Sequence, residues 1–355
     1  MQKKVLRTLI LVGLLGFCAC GKAEDGKDAG ATKAPVEMEN PSDEISPTDA
    51  PEATATPEPT PLPADETAPE LTLLGDATMK VVARTEFVDP GFTAVDDRDG
   101  DVAAQVQVSG EVNVNWCDTY TLTYTVSDAA GNVSTVERVV EVAQPETVVP
   151  EGKVIYMTFD DGPGDNTREL LKILDKYQVK VTFFVCANGV EYLYPEIKAG
   201  GHTLGAHCGT HNYDVVYASD EAYFKDLETI MNAIYEKTGE YTTLLRFPGG
   251  SSNKVSKICP GIMTRITEKV TKMGYQYFDW HVDSGDSSTK DTAEILEIMK
   301  REVQKRNCSI VLQHPEHRDF SLAAVEDFIV WALDNGYTFL PLDPTSPNAH
   351  HRVNN

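Results

Sequence analysis

Two long stretches of the chain carry different hydrophobic patterns. Between Leu71 and Val142, short runs alternate apolar and polar positions: Lys80-Val81-Val82, Gln105-Val106-Gln107-Val108, Glu111-Val112-Asn113-Val114 and Thr121 to Val126. A period of two with β-branched residues predicts half-buried strands. Turn-forming clusters separate them at Asp89-Pro90-Gly91, Asp96 to Asp101 and Asp128-Ala129-Ala130-Gly131-Asn132, and a β-sandwich of about seventy residues fits.

From Lys153 onward the period switches back and forth. Val154 to Phe159 is a continuous apolar run that reads as a buried strand. Asn166 to Lys176 puts Leu170, Leu171 and Leu174 on one helical face, and Val181 to Val185 is the next strand. Helices are also predicted over Asp220 to Thr238 and Thr292 to Arg306, with strands near Gln276 to Trp280, Ser309 to Leu312 and Thr338 to Leu340. Strand, helix, strand repeated over about 200 residues predicts a parallel α/β sheet or a distorted βα barrel.

The N-terminal seventy positions fit neither pattern. Lys3, Lys4 and Arg7 precede an apolar run, Leu9 to Phe17, too short to span about 30 Å of hydrocarbon as a helix, so it reads as an export signal. Gly16-Phe17-Cys18-Ala19-Cys20-Gly21 resembles the cleavage box of bacterial lipoproteins, with Cys20 the lipidated residue, although Phe17 stands where that pattern usually has Leu. Ordinary cleavage after Ala23 is the alternative. Lys22 to Glu70 holds nine of the twenty prolines, thirteen acidic residues against three lysines and no aromatic residue. Such a segment cannot bury enough apolar surface to offset its ordering entropy, and predicts a disordered, extended spacer.

Composition narrows the partners. The 355 residues carry a net charge of −24, with no basic stripe to displace counterions, so nucleic acid is excluded as a partner. A neutral or cationic substrate, or one reached through a metal, is favoured. Beyond the signal, Cys117, Cys186, Cys208, Cys259 and Cys308 are odd in number and make no CxxC motif; their pairing stays open.

Five segments of the last region can carry chemistry. Asp160 and Asp161 end the first strand ahead of Gly162-Pro163, where ligand sites of α/β folds lie; adjacent carboxylates there need a cation, a positive neighbour or a proton. His207 and His211, with Gly209 between them to allow a turn, can converge on one metal at about 2.0 to 2.1 Å, and Asp161 would add a carboxylate to that set. The others are Arg246-Phe247-Pro248-Gly249-Gly250-Ser251, Trp280-His281-Val282-Asp283-Ser284-Gly285-Asp286 and Ile310-Val311-Leu312-Gln313-His314. Taken singly, each has a bland alternative: a surface ion pair, a helix cap, a buried neutral imidazole.

In this order the five segments resemble carbohydrate esterase family 4, the polysaccharide deacetylases, over about residues 153–343. The resemblance implies a distorted βα barrel and these roles: Asp160 as general base, Asp161, His207 and His211 as metal ligands, Arg246 orienting the base. It also implies His314 as general acid held by Asp286, with Gly249 near the developing oxyanion and Leu312 and Trp280 lining the substrate pocket. Asp283 is the second choice for the role of Asp286. The implied cofactor is one divalent cation, Zn²⁺ with Co²⁺, Mn²⁺ or Ni²⁺ as alternatives. The chain departs from the family pattern at Phe247 and Gly249, where that pattern has proline and an aromatic residue, and at Ser287 and Pro315, changes expected to touch the cleft walls. Removal of N-acetyl groups from an N-acetylglucosamine polysaccharide, peptidoglycan first, is expected; O-deacetylation of acetylated xylan and a non-catalytic wall-binding lipoprotein are the alternatives.

Residues 71–143 resemble a bacterial immunoglobulin-like module through Asp89-Pro90-Gly91-Phe92-Thr93-Ala94, Asp97 to Asp101, Tyr120 to Tyr124 and Asp128 to Asn132. Cys117 stands near where that pattern has a turn glycine. An EF-hand reading of Asp97 to Asp101 fails, because with Gly100 at the sixth position Val95 and Val106 fall at positions one and twelve. A solvated hairpin turn is preferred, with weaker calcium binding of another kind left open. The expected organisation is therefore a signal over residues 1–20, a disordered linker over 21–70, the sandwich over 71–143, a short linker over 144–152, the deacetylase barrel over 153–343 and a tail over 344–355. The protein is expected outside the cell, on the outer face of the membrane through its lipid anchor or else secreted.

Overall fold

The computed structural model describes residues 63–354; the signal, Cys20 and most of the acidic linker lie outside them. The first module builds two sheets from β1 (Glu70–Leu73), β2 (Thr78–Val82), β3 (Phe92–Asp96), β4 (Gly100–Asp101), β5 (Gln107–Ser109), β6 (Asp118–Ser127) and β7 (Val133–Ala143). One sheet has the order β1-β3-β4, the other β2-β7-β6-β5. Leu71, Ala94, Val102, Leu122, Tyr124 and Val126 are buried in one core cluster, as the period-two pattern requires. The loop after β2 is held by Arg138, which is 0% exposed: it donates to Leu74 O at 2.8 Å and Gly91 O at 3.0 Å and pairs with Asp89 at 3.2 Å. The Asp89-Pro90-Gly91 turn is thus a partner for a buried guanidinium as well as a chain reversal.

Three expectations for this module change. Glu111 to Val114 is irregular rather than a strand; Val114 O accepts from Arg84 N at 2.7 Å, just past the end of β2, but the segment joins no strand ladder. Cys117 lies where the module meets the barrel, its backbone N–H donating to Lys272 O at 2.6 Å. Residues 63–70, expected within the disordered spacer, lie on the module: Arg98 donates to Pro63 O at 2.7 Å and Asn132 to Thr67 O at 3.1 Å.

The barrel region contains β8 (Lys153–Asp160), α1 (Thr167–Lys176), β9 (Thr182–Cys186), α2 (Tyr194–Ala199), β10 (Thr203–Cys208), α3 (Tyr213–Val216), α4 (Asp220–Thr238) and β11 (Leu244–Leu245). It continues through α5 (Ile262–Lys272), β12 (Gln276–Tyr277), β13 (Val282–Asp283), α6 (Thr292–Val303), β14 (Cys308–Gln313), α7 (Asp319–Asp334) and β15 (Tyr337–Phe339). The strand order is β12-β11-β10-β9-β8-β14-β13, with β15 also on β8. Every pairing is parallel, so all strand carboxyl ends open on one side. β8 divides its residues between two cores. Ile155, Met157 and Phe159 pack with helix residues such as Leu170 and Leu174; Val154 and Tyr156 pack with Phe184, Leu244, Phe278 and Ile310 inside the sheet's curve. Burial on both faces is why the strand reads as a continuous apolar run. Helix α4 starts at a Ser219 cap, whose Oγ accepts from Ala222 N, and stops at Gly239 with φ 74°, matching the expected bounds. Helices α5 and α7 were not anticipated, and α6 ends three residues earlier than expected.

Candidate active site

Each candidate side chain sits at or just beyond a strand's carboxyl end. Asp160 is the last residue of β8, His207 the penultimate residue of β10, Arg246 follows β11, and His314 follows β14. Asp160, His207 and His314, with Trp280, Gly249 and Leu312, line a cavity of about 290 Å³ that also includes Asp161, His211, Tyr213, Asp283, Ser287 and Arg318; Arg246 lies buried behind it.

Asp161 has φ 69°, a region costly for a residue with a Cβ. The strained turn aims its carboxylate at two imidazoles. Oδ1 lies 3.3 Å from His207 Nε2 and 3.1 Å from His211 Nε2, yet it is buried without a hydrogen-bond partner. Ligands about 2.05 Å from a tetrahedral centre stand about 3.3 Å apart, and both carboxylate–imidazole separations match that edge. Nδ1 of His207 donates to Arg246 O at 2.9 Å, which turns Nε2 toward that centre. Burial pulls the His207 pKa down, but the negative charges of Asp160 and of the adjacent Asp161 push it up to about 10. Burial likewise raises Asp161, and its two imidazole partners outweigh this and hold it far below the carboxylate range. The donor set, two imidazoles and a carboxylate, suits Zn²⁺ and similar divalent ions. Cys208 Sγ also comes within 4.8 Å of the ring nitrogens, but it is fully buried and meets Cys186 Sγ at 3.1 Å.

The turn presenting His211 is built by a residue that sequence reasoning missed. Asp226, on α4, accepts from Gly209 N at 2.8 Å and Thr210 N at 2.7 Å. A Cβ at Gly209 would stand 2.8 Å from Asp226 O and 2.9 Å from Thr229 Cβ, so only glycine fits the close approach of turn to helix. Nothing in the sequence distinguishes Asp226 from the other acidic residues of its helix.

On one side of the cavity, Arg246 is wholly buried and spends its guanidinium on four oxygens: Asp160 Oδ1 and Thr158 Oγ1, each at 2.7 Å, Phe278 O at 2.7 Å and Asp279 O at 3.0 Å. On the other side, His314 Nδ1 meets Asp286 Oδ1 at 2.9 Å, and its Nε2 is 3.9 Å from Asp161 Oδ2. Burial lowers the His314 pKa, and the Asp286 bond and charge more than reverse this. Asp286 also accepts from Ser321 Oγ at 2.6 Å and from Arg318 at 3.3 Å. Asp283, the second choice, is exposed and accepts from Gly285 N; it does not touch His314.

The family model described as polysaccharide deacetylase matches residues 147–278, and that described as bacterial surface protein, Ig-like domain, matches residues 71–142. Fold and site together define a carbohydrate-directed deacetylase, and the chain belongs to the polysaccharide deacetylase family, carried behind an immunoglobulin-like domain. It is 32% identical over 198 residues to the peptidoglycan-N-acetylglucosamine deacetylase of Bacillus cereus, covering 53% of this chain and 69% of that one. It is 30% identical over 204 residues to the peptidoglycan-N-acetylmuramic acid deacetylase PdaC of Bacillus subtilis, covering 56% and 40%. Among solved structures, the catalytic domain of peptidoglycan N-acetylglucosamine deacetylase from Eubacterium rectale matches with TM-score 0.58 and 48% identity, covering 60% of this chain and 99% of that domain.

Proposed function

We propose that the protein is a metal-dependent hydrolase that removes N-acetyl groups from N-acetylglucosamine residues of peptidoglycan. The observation that carries the metal requirement is the partnerless Asp161 Oδ1 between two imidazole nitrogens at tetrahedral spacing. The choice of polymer is supported by the Bacillus cereus and Eubacterium rectale relatives, both named for it. It is also supported by the export signal, lipobox-like Cys20 and spacer, which would hold the enzyme on the outer face of the membrane, against the wall.

Asp161, His207 and His211 would hold one divalent cation, most simply Zn²⁺, which when bound supplies Lewis acidity to the acetyl carbonyl and acidifies a water. Asp160 takes the proton of the attacking water, and the buried Arg246, bonded to its Oδ1, holds that carboxylate in place at the cavity. The Gly249 backbone N–H lies at the cavity wall to receive the oxyanion. His314 delivers a proton from Nε2 to the departing amine, because Asp286 fixes Nδ1–H and favours the imidazolium. Leu312 and Trp280 line the space for the acetyl group and sugar.

The test is acetate release from purified peptidoglycan and from N-acetylglucosamine oligomers, with zinc supplied, by the wild type and Asp161→Ala. Release lost with chelator and with the substitution supports the proposal. No release from either substrate by zinc-loaded protein, with release from acetylated xylan, would replace it with an O-deacetylase.

A further inference from the structure

The immunoglobulin-like module contains a second group of metal-capable side chains, far in sequence from the barrel site. Asp65, Asp96 and Asp128 each offer a carboxylate oxygen, and these oxygens lie within 4.8 Å of one another. Two of the three residues are buried, Asp96 at 3% exposure and Asp128 at 6%. Oδ1 of Asp96 accepts from Arg98 N at 2.9 Å and Asp99 N at 2.8 Å. Oδ2 of Asp96 is buried with no hydrogen-bond partner. A sealed, partnerless carboxylate oxygen among two other carboxylates is destabilising by desolvation and by repulsion unless a cation joins it.

We infer that Asp65, Asp96 and Asp128 bind a calcium ion that ties the chain entering the module to two of its loops. Donor chemistry selects the ion: the ligands are hard oxygens, with neither imidazole nor thiol among them. Oxygens about 2.4 Å from one Ca²⁺ can be at most about 4.8 Å apart, and these three lie within that limit of one another. Charge agrees, since of the three carboxylates Asp65 alone pairs with a guanidinium, its Oδ2 3.7 Å from Arg98 Nε; the two negative charges of Asp96 and Asp128 match one divalent cation.

The surroundings hold the three segments in place without satisfying Asp96 Oδ2. Asn132 donates from Nδ2 to Asp128 Oδ2 at 2.8 Å, Thr67 O at 3.1 Å and Asp65 O at 3.2 Å, and from its backbone to Asp128 Oδ1 at 2.8 Å. Thr67 N donates to Asp65 Oδ1 at 3.2 Å, and Asp99 Oδ2 accepts from Ala129 N at 2.7 Å. Asp65 Oδ1 and Asp128 Oδ2, each with one donor, keep a second lone pair for an ion, and Asp96 Oδ2 keeps both. The ligands come from three segments rather than one loop, which is why testing Asp97 to Asp101 as an EF-hand could not find them.

The experiment is equilibrium dialysis of calcium against the full-length, zinc-loaded protein, with calcium up to 5 mM to cover the range of about 10⁻⁴–10⁻³ M typical of extracellular modules. One calcium per chain is expected in the wild type and in Asp161→Ala, which lacks a barrel ligand. At least a tenfold weaker constant is expected for Asp96→Asn and for Asp65→Asn, with calcium raising the melting temperature of the wild type and of Asp161→Ala more than that of these two variants. Asp65 is partly exposed, so Asp65→Asn decides the matter if Asp96→Asn fails to fold; its acetate release should equal that of the wild type. No calcium bound by the wild type, or equal binding by Asp65→Asn, overturns the inference. Displacement by equimolar magnesium overturns the choice of calcium.

Discussion

The Asp286 carboxylate grips His314 at two points: Oδ2 accepts from its backbone N–H at 2.6 Å, and Oδ1 meets Nδ1 at 2.9 Å. The first contact fixes where the residue leaves β14 and the second fixes its ring, so Nε2 alone is left to face the cavity. The same contacts raise the His314 pKa and lower that of Asp286, each against the opposing effect of burial.

This pairing predicts a pH signature. His314 should stay protonated above its ordinary pKa of about 6.5, so the alkaline limb of kcat/KM should lie above that value in the wild type. In Asp286→Asn it should move to lower pH. His314→Ala should lose about 10²–10⁴-fold in kcat, the usual worth of a general acid. An alkaline limb unmoved in Asp286→Asn would count against the assignment. For stability, the raised histidine contributes below pH about 6.5 and loses its contribution as pH rises through the folded value, while the depressed aspartate contributes above about 3.9 and loses it on acidification.

Arg246→Met should destabilise the protein by about 3–5 kcal/mol, because Asp160 is left buried without its counter-charge. Urea unfolding measures this. Arg246→Lys should keep part of that stability and little activity, since an ammonium cannot serve Asp160, Thr158, Phe278 and Asp279 at once.

Asp226→Ala should weaken zinc binding by about 10–100-fold, as loss of a residue that positions a ligand does, while far-ultraviolet circular dichroism stays unchanged. Zinc titration with a competing chelator reads the constant. Unaltered affinity would mean that the His211 turn holds without the Asp226 carboxylate.

Glu316 lies beneath the Asp160–Gly162 turn, fully buried, with Oε1 accepting from Thr167 Oγ1 at 3.0 Å and Oε2 partnerless. Burial, and then the nearby charges of Asp161 and Asp160, push its pKa up to about 8. The folded state therefore holds a proton that the unfolded state releases above about pH 4.5, so this group's stabilisation falls as pH rises from 4.5 to 8. Glu316→Gln should gain stability relative to the wild type between pH 5 and pH 8, by up to a few kcal/mol. Denaturant midpoints at the two values test it.

Much of the fold was legible where neighbours in sequence decide it. The α4 limits could be read because Ser219 and Gly239 act within one turn of the helix ends, and β8 could be read because both its faces are buried. Glu111 to Val114 misled because its alternation is that of a strand, while in the fold the segment joins no strand ladder. Helix α7 escaped because its Asp319–Asp334 span is apolar on several sides, which blurs the 3.6-residue period.

The order and spacing of residues determined the succession of strands and helices, the two families and the set of chemically able side chains, because those depend on local backbone preference and short motifs. Tertiary structure alone decided which of those side chains act together. It brings Asp161 to His207 and His211, Arg246 to Asp160 across 86 positions, and Asp286 rather than Asp283 to His314. It also gathers Asp65, Asp96 and Asp128. Such convergence follows from parallel strands opening on one side and loops closing over one end of a sandwich, and a linear pattern of residues has no period that encodes it.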